Sequence, residues 1–287
     1  MTGQTRFAAV LERARGLGRA VGAFTCYDLE GFEAVAAAAE AQRAPAIVLI
    51  SPSSFAAPAG RRLARAFTAM AAEASVDLLV QLDHVSDREQ IERAAGAGLD
   101  AVMADGSKLP YERNVEFTCA VAGSLRPRGV AVEAELGRVE GHEDRAGPVA
   151  SGEMTDPAQA AEFAERTGVD CLAVAIGNVH GHYTGTPRLD FDRLGAIRGT
   201  PPLSLHGASG LPEQALRRAV SLGVAKINVN TELRAAYFGA LRERLDETEE
   251  GLDLKALGEA TVAAVERVVE AKLAAFGWAP EELRRSA

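Results

Sequence analysis

Cysteine is scarce in this chain. Cys26, Cys119 and Cys171 are the three present, far apart and without metal-ligand spacing. That excludes a disulfide framework or a thiolate metal cage, and it suits a reducing, cytoplasmic compartment. Basic charge is in deficit, with 31 Lys and Arg against 40 Asp and Glu and a formal net charge of −9. No general surface for nucleic acid or anionic lipid is expected, although a local pocket for a small phosphorylated ligand remains open. No apolar run is long enough to span a membrane, and Arg6, Glu12, Arg13 and Arg15 break the N-terminal segment, so no signal-peptide core is expected. The fingerprint Gly-x-Gly-x-x-Gly is missing after the first strand-like run, and there is no low-complexity segment. Histidine is rare too, with five in 287 residues.

What is present is a rhythm. Short apolar runs at 20–26, 46–50, 77–83, 100–104, 129–135, 170–176, 202–206 and 224–229 alternate with helical patterns at 29–41, 61–74, 88–97, 111–125, 157–167, 191–198, 212–221 and 231–245. A short helix at 7–14 precedes them and a helical tail at 254–276 follows. The strands are apolar on both faces, as buried parallel strands are. With 47% hydrophobic residues the chain can bury a full core. Eight βα units without the dinucleotide fingerprint predict an α/β fold, a closed (β/α)8 TIM barrel forming a single domain over 1–287.

In such a barrel the chemistry sits at the C-terminal strand ends. Three of the five histidines, His84, His180 and His206, fall at or just beyond those ends. Three imidazoles converging on one mouth make a zinc site with an open fourth position; each alone would be an ordinary hydrogen-bonded histidine. Asp83 adjoins His84, and strand alternation turns it to the opposite face, so a role in proton transfer is expected rather than a shared metal. Asp105 and Glu135 are either rim carboxylates or an alternative metal position. Glu133 shares the parity of Glu135 one layer deeper and is expected to be structural. Lys226 is the one candidate for a Schiff base, with pairing to a carboxylate such as Glu133 the favoured alternative. Gly207-Ala208-Ser209 after the seventh strand and Asn228-Val229-Asn230-Thr231 after the eighth stand where barrels hold phosphate, with Gly181 as a further N–H donor; outside a barrel these would be a tight turn and a helix cap. The polar stretch 137–156 is too long for an ordinary connection. A mobile loop carrying Glu143 would deliver a base and exclude water on closing, while His142 and His182 are expected to be plain loop residues.

Taken together, these residues resemble the class II, zinc-dependent fructose-bisphosphate and tagatose-bisphosphate aldolases. The most specific pieces are Leu82-Asp83-His84, Val132-Glu133-Ala134-Glu135-Leu136-Gly137, Ala173-Val174-Ala175-Ile176-Gly177 with His180-Gly181, Leu205-His206-Gly207-Ala208-Ser209-Gly210, and Lys226-Ile227-Asn228-Val229. Their order and spacing look closest to the tagatose-type branch. The resemblance implies that His84, His180 and His206 hold the catalytic zinc and that Asp105 and Glu135 serve a second or vacated metal position. It implies that Asp83 exchanges a proton with the aldehyde half, and that Glu143 takes the proton from dihydroxyacetone phosphate. Gly181, Gly207, Ser209, Asn228, Asn230 and Thr231 would hold the phosphate and the dihydroxyacetone hydroxyls. A monovalent cation, Na+ or K+, near that phosphate, a sugar phosphate substrate and a homodimer or homotetramer are further expectations of the family. This chain departs from the family at Thr25, where the family commonly has Asn, at Val85, where a second histidine is frequent, and over Asp144-Arg145-Ala146-Gly147-Pro148. The rivals to a metal-dependent aldolase are a Schiff-base aldolase using Lys226 and a non-catalytic barrel that binds a sugar phosphate.

Overall fold

The computed structural model describes residues 4–141, 144, 147–150, 152–183 and 185–278. Strands β1 (Val21–Thr25), β2 (Ala46–Ile50), β3 (Leu78–Val85), β4 (Ala101–Ala104), β5 (Ala131–Leu136), β7 (Cys171–Val174), β9 (Leu203–Leu205) and β10 (Val224–Val229) close a barrel in the order β1-β10-β9-β7-β5-β4-β3-β2. All pairings are parallel. The closed ring leaves no sheet edge, and the helices between successive barrel strands cover its outer face. Two short strands outside the barrel, β6 (Pro148–Val149) and β8 (His182–Tyr183), pair with each other.

The strands have few polar residues because both faces are buried. Val21–Thr25, Ala46–Ile50 and Val224–Val229 are buried throughout. The outer helices also pack on one another, with Phe32 of the helix Leu29–Ala41 stacked on Phe67 of the helix Gly60–Glu73 at a centroid distance of 5.2 Å. Asp28 caps the helix Leu29–Ala41 through the Gly31 N–H (2.7 Å), and Asp156 and Asp190 cap the helices that they precede.

The structure adds detail to the sequence reading. A short helix, Pro52–Ala56, follows β2 where only a strand stop is legible; Ser51 caps it and Pro52 opens it. The helix expected at 231–245 runs on as Thr231–Glu250. Strand β3 runs to Val85, past its expected end at 83, and its register against β4 shifts between Leu82 and Val85. No described helix is long and apolar enough to cross a membrane.

Candidate active site

The expected strand-end residues converge. His84 comes from the end of β3, His180 from the segment after β7, and His206 from the position after β9. Their ring centroids lie 4.7 Å (His84–His180), 4.6 Å (His84–His206) and 5.9 Å (His180–His206) apart. One ring nitrogen of each falls within 4.8 Å of the others, and His84 Nε2 is 2.8 Å from His206 Nδ1. A second group shares His84: its Nδ1 donates to Asp105 Oδ2 at 3.0 Å and stands 3.7 Å from Glu135 Oε2. His84, Asp105 and Glu135 thus also offer ligand atoms within 4.8 Å of one another, as expected for an alternative metal position.

The electrostatics follow from this crowding. Burial opposes a charge on His84, but Asp83, the Asp105 hydrogen bond and Glu135 outweigh it and hold the ring's pKa well above the usual histidine value. Burial and the Asp105 charge push Glu135 up to about 8. For Asp105 the His84 contact overcomes burial and holds the carboxyl below the usual range. One mouth therefore contains neighbouring carboxyls driven in opposite directions, a pattern that functional sites favour.

Asp83 corrects the alternation argument. His84 has φ +42°, a left-handed backbone that a non-glycine residue rarely adopts, and it lies within the register shift. The bulge breaks the two-residue period, so Asp83 and His84 reach the same network and not opposite faces: Asn228 Nδ2 lies 3.1 Å from Asp83 Oδ2 and 3.1 Å from His206 Nδ1. Asp83 is buried, and its Oδ1 has no hydrogen-bond partner among the described residues. A backbone outlier of this kind costs about 1–3 kcal/mol and persists where surrounding structure enforces it.

Glu133 is fully buried and pairs with Lys226 Nζ at 2.9 Å, as expected, and it also touches the histidine cluster: its Oε1 accepts from His206 Nε2 at 2.8 Å and its Oε2 from Gln81 at 2.7 Å. Lys226 is fully buried and donates to Asn228 Oδ1 at 2.7 Å. Burial works against its charge, but Glu133 and Asp83 keep the ammonium protonated, which removes the nucleophilic amine that a Schiff base needs.

A small recess beside the histidines is lined by His180, Gly181, Gly207, Ser209, Asn228, Asn230 and Thr231. Ala208 and Val229 from the same turns do not line it. The Ala208 N–H donates to Asn228 O (3.3 Å), and Val229 is a barrel residue in register with Phe24. Glu143 and His142 lie outside the described residues. The flanks of their loop are anchored: Arg138 N–H donates to Glu153 O (2.7 Å), and His180 N–H to Glu140 O (2.7 Å), so the loop is stitched to the segment that carries His180. Asp144 accepts from the hydroxyls of Tyr27 (3.0 Å) and Ser53, and its carbonyl accepts from Arg234 (2.6 Å).

The family model for class II fructose-bisphosphate aldolase matches residues 5–280. The chain belongs to the class II fructose-bisphosphate aldolase family. Among solved structures, the YdjI aldolase of Escherichia coli K12 is 32% identical, with 96% of this chain and 98% of that one covered and a TM-score of 0.84. A protein of Coccidioides immitis assigned as a fructose-1,6-biphosphate aldolase is 33% identical over 95% of this chain and 97% of that one, again at 0.84. Fructose-bisphosphate aldolase of Campylobacter jejuni, 20% identical over 95% and 94% of the two chains at a TM-score of 0.81, shares the fold.

Sequence reasoning missed Tyr27, Asn178 and Tyr183. Asn178 Oδ1 accepts from Ile176 N–H (2.7 Å) while its Nδ2 donates to His206 O (3.1 Å), tying the His180 segment to His206. Tyr183 OH donates to Gly207 O at 2.9 Å. Asn178 lies two residues from His180, the only available signal; Tyr27 and Tyr183 carried none.

Gly207 is where the family turn meets a steric limit. It has φ +62°, and a Cβ there would lie 2.2 Å from Val179 O, a backbone atom. Gly207→Ala is expected to destabilise the barrel by about 2 kcal/mol or more, because left-handed strain adds to a contact that only backbone movement relieves. Urea unfolding measures this; a midpoint equal to that of the parent would contradict the close approach.

Proposed function

We propose that this family member is a zinc-dependent aldolase of a ketose phosphate, releasing dihydroxyacetone phosphate and an aldehyde such as glyceraldehyde 3-phosphate. One observation carries the reading: a three-imidazole cluster adjoins both a recess rimmed by glycine turns and a buried carboxylate, Asp83. The donor set fits the metal. Three imidazoles within 4.8 Å of one another suit a borderline-soft divalent ion, which would displace a ring proton on binding, and they leave a position for substrate. His84, His180 and His206 would hold zinc, and when bound it supplies a Lewis acid for the ketone oxygen.

The chain's own groups supply the rest. Gly181 and Gly207 would offer backbone N–H groups to the phosphate, with the Ser209 and Thr231 hydroxyls beside them. Ser209 Oγ already accepts from Asn230 N–H at 3.3 Å, which leaves its own proton for an anion. Asp83 would take the proton from the hydroxyl next to the breaking bond, fixed by its hydrogen bond from Asn228. Glu143 would return a proton to carbon, and Asp105 and Glu135 would receive the metal in its alternative position. A monovalent cation, Na+ or K+, belongs beside the phosphate in this reading, and the free thiols suit a cytoplasmic setting.

The test is a cleavage panel of ketose mono- and bisphosphates with and without chelator. Chelation abolishes turnover, and zinc or cobalt restores it. Removing the phosphate from the ketone half lowers kcat/KM at least about a hundredfold, since two charge-assisted hydrogen bonds are worth that much. Full turnover in protein shown metal-free by elemental analysis overturns the metal; equal specificity constants for dephosphorylated ketoses overturn the recess.

A further inference from the structure

The interior of the barrel below the histidines contains a chain of polar groups that proton transfer and phosphate binding leave unexplained. Glu133, Lys226 and His206 are all fully buried, where an unpaired charge would be prohibitive. An apolar interior would be the cheaper solution in stability, so these groups need another reason to be there.

The reason follows from donor and acceptor inventories. An ionised carboxylate only accepts, so the 2.8 Å contact of Glu133 Oε1 requires the proton of His206 to sit on Nε2. The other oxygen, Oε2, faces two donors, Lys226 Nζ at 2.9 Å and the Gln81 amide at 2.7 Å, as an ionised carboxylate does. An ammonium only donates, so Lys226 fixes Asn228 with Oδ1 toward Nζ, at 2.7 Å. The amide then has one remaining direction for Nδ2, toward His206 Nδ1 and Asp83 Oδ2, both at 3.1 Å. A donor facing Nδ1 requires a lone pair there. Two independent lines, one from each member of the ion pair, give His206 the same tautomer.

We propose that Glu133 and Lys226 are positioning residues that fix His206 with its Nδ1 lone pair turned into the histidine cluster, Lys226 acting through the Asn228 amide that also holds the Asp83 carboxylate. The ion pair thus sets a metal-binding nitrogen and a proton-transfer group in one frame. The inference rests on the metal reading of the cluster, but it concerns the ring's orientation and proton, which can be seen without metal. A carboxylate behind a ligand histidine raises metal affinity by fixing the ring and its tautomer, and its loss costs about 10–100-fold.

The experiment uses full-length protein, with zinc affinity read by competition with a chromophoric chelator and the His206 ring read by nitrogen NMR in metal-free protein. Glu133→Leu with Lys226→Met removes both charges together, so no buried charge is left unpaired; circular dichroism checks the fold. Zinc affinity is expected to fall about 10–100-fold, and the His206 ring to lose its single Nε2–H form. Glu133→Gln with Lys226→Met keeps an amide oxygen to accept from Nε2–H, and it is expected to recover most of both. A purely structural pair predicts instead that the folded Leu/Met variant binds zinc as the parent does and keeps one tautomer, and that result overturns the proposal. So does a parent spectrum with the proton on Nδ1. If the parent has the Nε2–H form but binds no zinc, the positioning stands and the aldolase reading falls.

Discussion

In the proposed function, His206→Ala is expected to lose zinc and to lower aldol cleavage by at least about a thousandfold, while the barrel stays folded. The residue follows β9 and is fully buried, yet its side-chain partners are polar: Glu133, His84 and Asn228. Removing the ring leaves Glu133 still paired with Lys226 and Gln81, so no unpaired charge remains in the core. The stability cost is then that of the lost contacts to Glu133, His84 and Asn228 and of a small cavity, about 2–4 kcal/mol. The catalytic cost is larger, because losing a Lewis acid forfeits several kcal/mol of transition-state stabilisation at about 1.4 kcal/mol per tenfold. Elemental analysis, circular dichroism and a cleavage assay on one preparation decide the matter. A folded variant with stoichiometric zinc and the parent rate means that His206 is no ligand.

Asp83→Ala is expected to stop both cleavage and condensation but still to exchange the carbon proton of dihydroxyacetone phosphate with solvent deuterium. The exchange needs the base that works on carbon and no aldehyde, and that task falls to Glu143 in the proposed function. Asp83 is held by Asn228 at the end of β3, which suits the hydroxyl of the aldehyde half. Glu143→Ala is therefore expected to lose exchange as well. Each removal costs about 10²–10⁴ in its own step. NMR with dihydroxyacetone phosphate alone follows the exchange. An Asp83→Ala protein that cannot exchange, or a Glu143→Ala protein that exchanges at the parent rate, reverses the assignment.

Asp83 and His84 show how local rules give way. A period of two assigns neighbours to opposite faces, and that rule failed at the one strand position among the described residues where the backbone turns left-handed. Nothing in Leu82-Asp83-His84 announces a bulge, since neither glycine nor proline is present. Pairing of Lys226 with a carboxylate such as Glu133 was the expected fate of a buried lysine, and the structure pairs the two at 2.9 Å. That Glu133 also reaches His206 depends on β5 and β9 both facing the barrel axis, a relation between distant strands. The phosphate turns were legible as glycine-rich strand ends, and the structure gathers Gly181, Gly207, Ser209, Asn228, Asn230 and Thr231 around one recess that Ala208 and Val229 do not line.

By itself the sequence determined the architecture and the inventory of reactive groups. Apolar runs of strand length, alternating with amphipathic helices, can bury themselves in few other ways, and the parallel order follows from the crossover helices. The same pattern put His84, His180 and His206 at strand ends, and closure of the barrel brings strand ends together whatever their separation in the chain. Only the tertiary structure decided which nitrogen of His206 faces its neighbours, which way the Asn228 amide lies and on which side Asp83 stands. Those choices depend on single hydrogen bonds across the barrel, such as Lys226 to Asn228 and Glu133 to His206. A donor and an acceptor 73 residues apart leave no periodic trace in either segment.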